Sequence, residues 1–308
     1  PHPFCGWRST PNQKYETITI NKNGLRSPNI DYNDKNKNYC IFLGGSVAWG
    51  FGASDNDYTP SYQIQKFFKK QNIDYDVVNL AQNSANSHDE LRSFISSVDE
   101  IKPKLVISLS GINDFWQTKT DYNKLSMPLE IPIRFFEWGQ RMGIPMEKNS
   151  FKKIIKILLR YFKKTNFQKK EFFEFNKYPN VPINLFEHKI EVMNSYCQYK
   201  NIKMVHVLQP NLFYKKKISK NEKQYLDFWS NLENNIFPEK KLKDFYDNLK
   251  KKYFKNKNNL ENISYIDSTY FFNEYDKSIF FDLAHFSDFG NKIFAEKLVN
   301  EIVRNYEL

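Results

Sequence analysis

The stretch YCIFLGGS at residues 39–46 decides the fold. Five apolar or aromatic residues run in succession and two glycines stop them, which is the pattern of a short strand covered on both faces. Similar runs follow at residues 75–80 and 105–109. A helical pattern at 88–101, with Leu91, Phe94, Ile95 and Val98 at helical spacing, separates these two runs. Strands that alternate with helices predict crossover units and a parallel sheet.

The alternation is interrupted once and then resumes. Residues 117–183 contain Pro128, Pro132 and Pro145 and then a basic amphipathic run, and we interpret them as an insertion. Beyond them the sequence predicts further helices and strands, namely a helix at 184–200, a strand at 204–208, a Lys-rich helical region at 221–256, a strand at 263–266 and a helix at 288–305. The prediction is an α/β fold in three αβα layers with a five-stranded parallel sheet. A polar, turn-rich arm at 1–36 precedes the domain at 37–308.

The composition is that of a soluble globular protein with a basic excess. Of 308 residues 40% are hydrophobic and 17% aromatic, and the formal net charge is +11. The charge has two interpretations: an anionic partner, or the Lys- and Asn-rich usage of an A/T-rich genome. The basic residues are spread along the chain and carry no nucleic-acid fingerprint, so no nucleic-acid partner is expected.

The cysteines give no sign of a disulfide framework or a metal site. Cys5, Cys40 and Cys197 are far apart and odd in number, so buried free thiols are expected and no metal or cofactor is predicted. Neither a secretory signal nor an 18-residue apolar run is present. The chain starts at Pro1 and not at Met, and export or membrane anchoring is the slightly favoured expectation.

Three predicted strand ends carry polar residues suited to nucleophilic chemistry. Ser46 follows the first strand between glycines, which suits a tight turn that exposes a hydroxyl, although such turns are often mere connections or phosphate cradles. Asn113 follows the third strand and offers an amide that can donate to an oxyanion; a simple polar turn is the alternative. Asp282 and His285 follow the last strand, three residues apart, as an imidazole base and its orienting carboxylate, or as a surface pair.

Together these blocks resemble the SGNH hydrolase superfamily, also called the GDSL family. The resemblance covers about 39–116 and 260–306, with Gly45 where the family usually has Asp. It implies a flavodoxin-like fold, Ser46 as nucleophile, His285 as base and Asp282 as the residue that orients it. It also implies an oxyanion hole from the Ser46 N–H, the Ser84 N–H and the Asn113 side chain. Ser84 stands where the family usually has glycine, so its contribution depends on the backbone conformation there.

Substrate contacts are predicted around these blocks. Trp49, Phe51 and Trp116 flank them as candidates for an apolar or sugar-stacking rim, or as core residues. The run at 152–164 could dock on a membrane surface, although packing on its own domain is the simpler interpretation. Four functions stay open: an esterase removing acetyl groups from a glycan, an O-acyltransferase modifying a cell-surface polysaccharide, a lipase or thioesterase, and a non-catalytic glycan-binding module.

Overall fold

The computed structural model describes residues 8–28, 34, 36–117, 181–230, 239–255 and 261–306. In these ranges a single parallel sheet is formed by β1 (Asn38–Gly44), β2 (Tyr75–Asn79), β3 (Leu105–Ser110), β4 (Lys203–Leu208) and β5 (Ile263–Asp267). The spatial order is β2-β1-β3-β4-β5, which is the flavodoxin-like order. The predicted α/β class and parallel sheet are confirmed, and each predicted strand is present within one residue of its expected bounds.

Helices connect the strands. They are α1 (Ser46–Trp49), α2 (Pro60–Lys70), α3 (Ser87–Ile95), α4 (Val98–Ile101), α5 (Ile112–Gln117), α6 (Val181–Tyr199), α7 (Lys220–Ser230), α8 (Glu239–Leu249) and α9 (Asp288–Tyr306). A π-helical turn at Lys250–Phe254 extends α8, so the predicted Lys-rich region consists of several helical pieces. None of the helices in the described ranges is both long and apolar enough to cross a membrane.

The sheet is covered on both faces, which makes three layers. Because successive side chains of a strand point to opposite faces, Cys40 and Phe42 enter one core cluster while Ile41 and Leu43 enter another. The first cluster contains apolar residues of α2 and α9, and the second contains residues of α3, α4 and α6. Strands buried in this way read as continuous apolar runs, which is why the sequence revealed them.

One residue of the predicted helical pattern lies outside the core. Leu91, Phe94 and Val98 are buried, but Ile95 is 57% exposed. The predicted single helix at 88–101 is two helices, because α3 ends at Ile95 and α4 starts at Val98. The break redirects the chain, so that Val98 rather than Ile95 continues the apolar stripe.

The described part of the N-terminal arm packs on the domain. Ile20, Leu25 and Arg26 are buried, and the Arg26 guanidinium donates to the carbonyl oxygen of Gly50 at 2.5 Å. Residues 118–180 lie outside the described residues, so the insertion at 117–183 and the amphipathic run at 152–164 stay predictions. Cys40 and Cys197 are buried free thiols, as predicted, whereas Cys5 is outside the described ranges.

Candidate active site

The candidate site lies where the strand order reverses. The chain runs from β1 outward to β2 and then returns to β3 on the other side of β1. In such sheets a crevice opens at the carboxyl ends of the strands beside this point. Ser46 follows β1 directly, and Asn113 follows β3 in the first turn of α5. Because Gly44 pairs with Leu109 at the ends of β1 and β3, the two polar residues emerge side by side.

Ser46, His285 and Asp282 form one continuous hydrogen-bonded chain. The Ser46 hydroxyl lies 2.7 Å from His285 Nε2, and His285 Nδ1 lies 2.6 Å from the Asp282 carboxylate. A carboxylate only accepts, so Nδ1 carries the hydrogen and Nε2 accepts from the serine. The two side chains are joined across 239 residues of sequence. The structure therefore brings together the three residues that the sequence singled out.

A compact turn holds the histidine. The base loop, residues 279–287, closes through a bridge between Phe280 and Phe286 and through the Ser287 N–H, which donates to the Ile279 oxygen at 2.7 Å. Within it one Asp282 oxygen accepts the backbone N–H groups of Ala284 and His285, each at 2.7 Å. The other Asp282 oxygen is left for the imidazole, so the turn itself sets the orientation of the ring.

The same hydrogen bonds keep Asp282 ionised. Burial favours the neutral acid, but the hydrogen bond and charge of His285 and the two backbone N–H groups outweigh it and lower the pKa of Asp282. An ionised Asp282 stabilises a positive charge on His285. This is the arrangement that a base needs when it takes a proton from a serine.

The predicted oxyanion donors have defined positions. Asn113 donates from Nδ2 to the Ala85 oxygen at 2.8 Å, which orients the amide and leaves its second N–H available. A Cβ at Gly45 would lie 2.2 Å from that nitrogen, so the absence of a side chain lets Asn113 approach the nucleophile turn. Ser84 has a φ of 62°, the left-handed conformation that glycine adopts freely.

The three aromatic candidates lie in different surroundings. Phe51 is exposed, and its ring centroid is 4.7 Å from that of His285. Trp49 packs against the first core cluster, with the Arg26 guanidinium 4.8 Å from its ring centre. The side chain of Trp116 is outside the described residues. A fourth aromatic residue, Phe281, was not predicted to belong to the site; it directly precedes Asp282, and its ring stacks on that of His285 with the centroids 5.7 Å apart.

Buried charges behind the site were also missed. Lys215 and Glu222 are fully buried and 2.5 Å apart, and the second oxygen of Glu222 accepts the N–H groups of Ile279 and Phe280 at the start of the base loop. Next to Asn113, Asp114 accepts the Ser87 N–H at 2.9 Å, and burial raises the pKa of Asp114 to about 6. No local sequence pattern signals the contacts of Glu222 with the base loop or of Asp114 with Ser87, because these partners are 57–58 and 27 residues apart in the chain.

Comparison with known families assigns the chain to one of them. Residues 41–298 match the family described as GDSL-like Lipase/Acylhydrolase, so the chain belongs to that family. The class is that of a serine hydrolase or acyltransferase, an enzyme acting on esters. No curated protein matches the sequence significantly.

Three solved structures are similar in fold. The acetyl xylan esterase AlAXEase is 14% identical, with 86% of this chain and 99% of that chain covered and a TM-score of 0.49. A two-domain esterase (CEX) active on acetylated mannans is 12% identical, over 88% of this chain and 50% of that one, with a TM-score of 0.46. Axe2, an acetylxylan esterase from Geobacillus stearothermophilus, is 14% identical over 88% and 94%, with a TM-score of 0.44. At these identities the likeness concerns the fold and assigns no substrate.

Proposed function

We propose that this protein is a serine esterase that removes short acyl groups, acetyl above all, from a carbohydrate. The observation that carries the catalytic part is the unbroken hydrogen-bonded chain from the Ser46 hydroxyl through His285 to the Asp282 carboxylate. The substrate part is supported by an exposed aromatic ring, Phe51, in contact with the base. Deacetylation of a glycan frees a hydroxyl group on a sugar ring, and an aromatic ring is a suitable neighbour for the apolar face of such a ring.

The proposed reaction has two halves. In the first, His285 Nε2 takes the proton of Ser46 as the serine oxygen attacks the ester carbonyl, and the same proton passes to the leaving alcohol oxygen. The acyl group is then bonded to Ser46. In the second half, His285 takes a proton from water, the hydroxide attacks the acyl-enzyme, and Ser46 recovers its proton as the carboxylic acid leaves. Asp282 stays ionised throughout and stabilises the imidazolium.

The oxyanion is assigned to three donors. The Ser46 N–H lies in the first turn of α1, where backbone N–H groups have no partner within the helix. The second hydrogen of the Asn113 amide and the Ser84 N–H complete the set. The left-handed backbone of Ser84 supports its inclusion, because it preserves the conformation of the usual glycine while adding a side chain.

The catalytic proposal is tested with esters of p-nitrophenol. Wild type is expected to hydrolyse the acetyl ester faster than the octanoyl ester, and Ser46→Ala is expected to lose at least about 10³-fold in kcat. Ser195→Ala, an exposed serine of α6, is the matched control and should keep full activity. Equal hydrolysis by wild type and Ser46→Ala would remove the catalytic proposal and favour a binding module.

A second assay separates the remaining alternatives. Adding acceptor glycans and measuring transferred acetyl distinguishes hydrolysis from O-acyl transfer, since both start from the same acyl-enzyme. Free acetate as the main product supports the esterase. Transfer that outpaces hydrolysis at millimolar acceptor would favour the acyltransferase, and a preference for long acyl chains would favour the lipase or thioesterase.

A further inference from the structure

Phe51 is exposed although it lies against the candidate base. Its side chain is 47% exposed, and its ring is inclined by 48° to that of His285 at a centroid distance of 4.7 Å. Phe281 flanks the same imidazole in a nearly parallel stack, with the planes 14° apart. The ring of Phe281 is thus half-buried, whereas that of Phe51 presents apolar surface to solvent beside His285.

The loop that carries Phe51 is held at both ends. The Phe51 N–H donates to the Ser46 oxygen at 2.9 Å, and the backbone N–H of Ser54 donates to the Asp288 carboxylate at 3.0 Å. Between them a Cβ at Gly52 would lie 2.2 Å from the Phe281 ring, so only glycine allows this close packing. An exposed ring on a fixed backbone is a preorganised contact surface, since little freedom is lost when a ligand covers it.

The chemistry decides which part of an ester this ring meets. The leaving oxygen receives its proton from His285 Nε2, so the alcohol part of the ester must lie beside the imidazole. The carbonyl oxygen lies instead toward the oxyanion donors, on the side where Asn113 approaches Gly45. A ring in contact with His285 is therefore placed to meet the alcohol and not the acyl chain.

We propose that Phe51 is a specificity-determining residue that forms a platform under the alcohol part of the substrate and selects esters of ring-shaped alcohols such as pyranosides. The assignment rests on the proposed esterase reaction. A sugar ring that covers about 60 Å² of apolar surface, at roughly 25 cal/mol per Å², corresponds to about 10-fold in kcat/KM.

The experiment uses three esters and three variants. An acetylated methyl pyranoside, ethyl acetate and ethyl butanoate are hydrolysed in a pH-stat by wild type, Phe51→Ala and Phe51→Tyr. Tyr199→Ala is the matched control. Tyr199 is an 82% exposed aromatic residue at the end of α6, near the amino ends of the strands, whereas Ser46 follows the carboxyl end of β1.

Phe51→Ala is expected to lose about 10-fold in kcat/KM on the pyranoside ester, mainly through KM, and less than about 2-fold on ethyl acetate. The ratio of ethyl acetate to ethyl butanoate should not change, and Phe51→Tyr and Tyr199→Ala should behave as wild type. A uniform loss on all three esters would make Phe51 a support for His285 and overturn the proposal, as would an altered acyl preference or no loss. Inactivity of wild type on every ester would instead refute the esterase reaction itself.

Discussion

The buried pair of Lys215 and Glu222 is expected to be a main support of the base loop. Each carboxylate oxygen of Glu222 has two partners: one accepts Lys215 Nζ and the Ser219 N–H, the other the N–H groups of Ile279 and Phe280. Lys215 donates to two backbone carbonyls as well. Glu222→Gln keeps an oxygen for the base loop but leaves the lysine charge buried without a counter-charge. Breaking a fully buried pair in this way costs about 3–5 kcal/mol.

The loss in unfolding free energy of Glu222→Gln is measured by urea unfolding at pH 7. Glu239→Gln is the matched control, because Glu239 makes the same 2.5 Å contact with Lys243 on an exposed face of α8. That exposed pair is expected to contribute under about 1 kcal/mol. The double variant Lys215→Met/Glu222→Gln removes both charges and should recover about 2 kcal/mol relative to Glu222→Gln.

The activity of Glu222→Gln gives a second readout. Since Ile279 and Phe280 begin the loop that carries His285, kcat on an acetyl ester should fall about 10-fold with little change in KM, as expected for a small misplacement of a catalytic group. The reasoning is refuted if Glu222→Gln costs no more stability than Glu239→Gln, or if the double variant shows no recovery. If Glu222→Gln is destabilised but keeps its kcat, the pair of Lys215 and Glu222 has only a structural role.

Three further predictions concern residues that follow the carboxyl ends of β2 and β3. Asn113→Ala should lower kcat by about 10²–10³-fold at nearly constant KM, measured by steady-state kinetics, because one of the proposed oxyanion donors is removed. Ser84→Gly should keep kcat within about 2-fold, whereas Ser84→Val should lose about 1 kcal/mol or more in urea unfolding, because a branched residue is strained at a φ of 62°. Burial raises the pKa of Asp114 to about 6 on folding, so the folded state holds this proton more tightly and the stability that Asp114 contributes should fall between pH 4 and pH 7. Measured by urea unfolding, the unfolding free energy of wild type relative to Asp114→Asn should fall by roughly 2–3 kcal/mol over this range, and an equal pH dependence in the two proteins would contradict the assignment.

The sheet could be predicted because its signal is local. Each strand is a short run of apolar residues that ends at glycine or a polar residue. Because both faces of the sheet are buried, apolar and polar residues do not alternate along the strand as they do in a strand with one face in water. The break between α3 and α4 was not predictable in this way. Leu91 and Val98 fit one continuous helix by spacing alone, and only the packed structure shows Ile95 outside it.

The candidate site likewise has a part that could be predicted from local sequence and a part that could not. Ser46, Asn113 and His285 could be found because each follows a strand, and the carboxyl ends of parallel strands share one edge. The supports of these residues could not be found, since Glu222 meets Ile279 across 57 residues and Arg26 meets Gly50 across 24. Such contacts depend on how helices and the arm pack, which no spacing in the sequence encodes.

At Ser84 the proposed oxyanion donor depends on the backbone conformation rather than on glycine as such. An oxyanion donor at this position is a backbone N–H, which serine also has. The side chain adds a conformational cost of roughly 1–2 kcal/mol for a left-handed residue, and the exposed position avoids a further steric cost. A protein tolerates such local strain when the surrounding structure imposes it, and the neighbouring Ala85 carbonyl, bonded to Asn113, is part of that structure. We therefore expect Ser84 to serve as the proposed oxyanion donor at a small cost in stability, and not at the expense of activity.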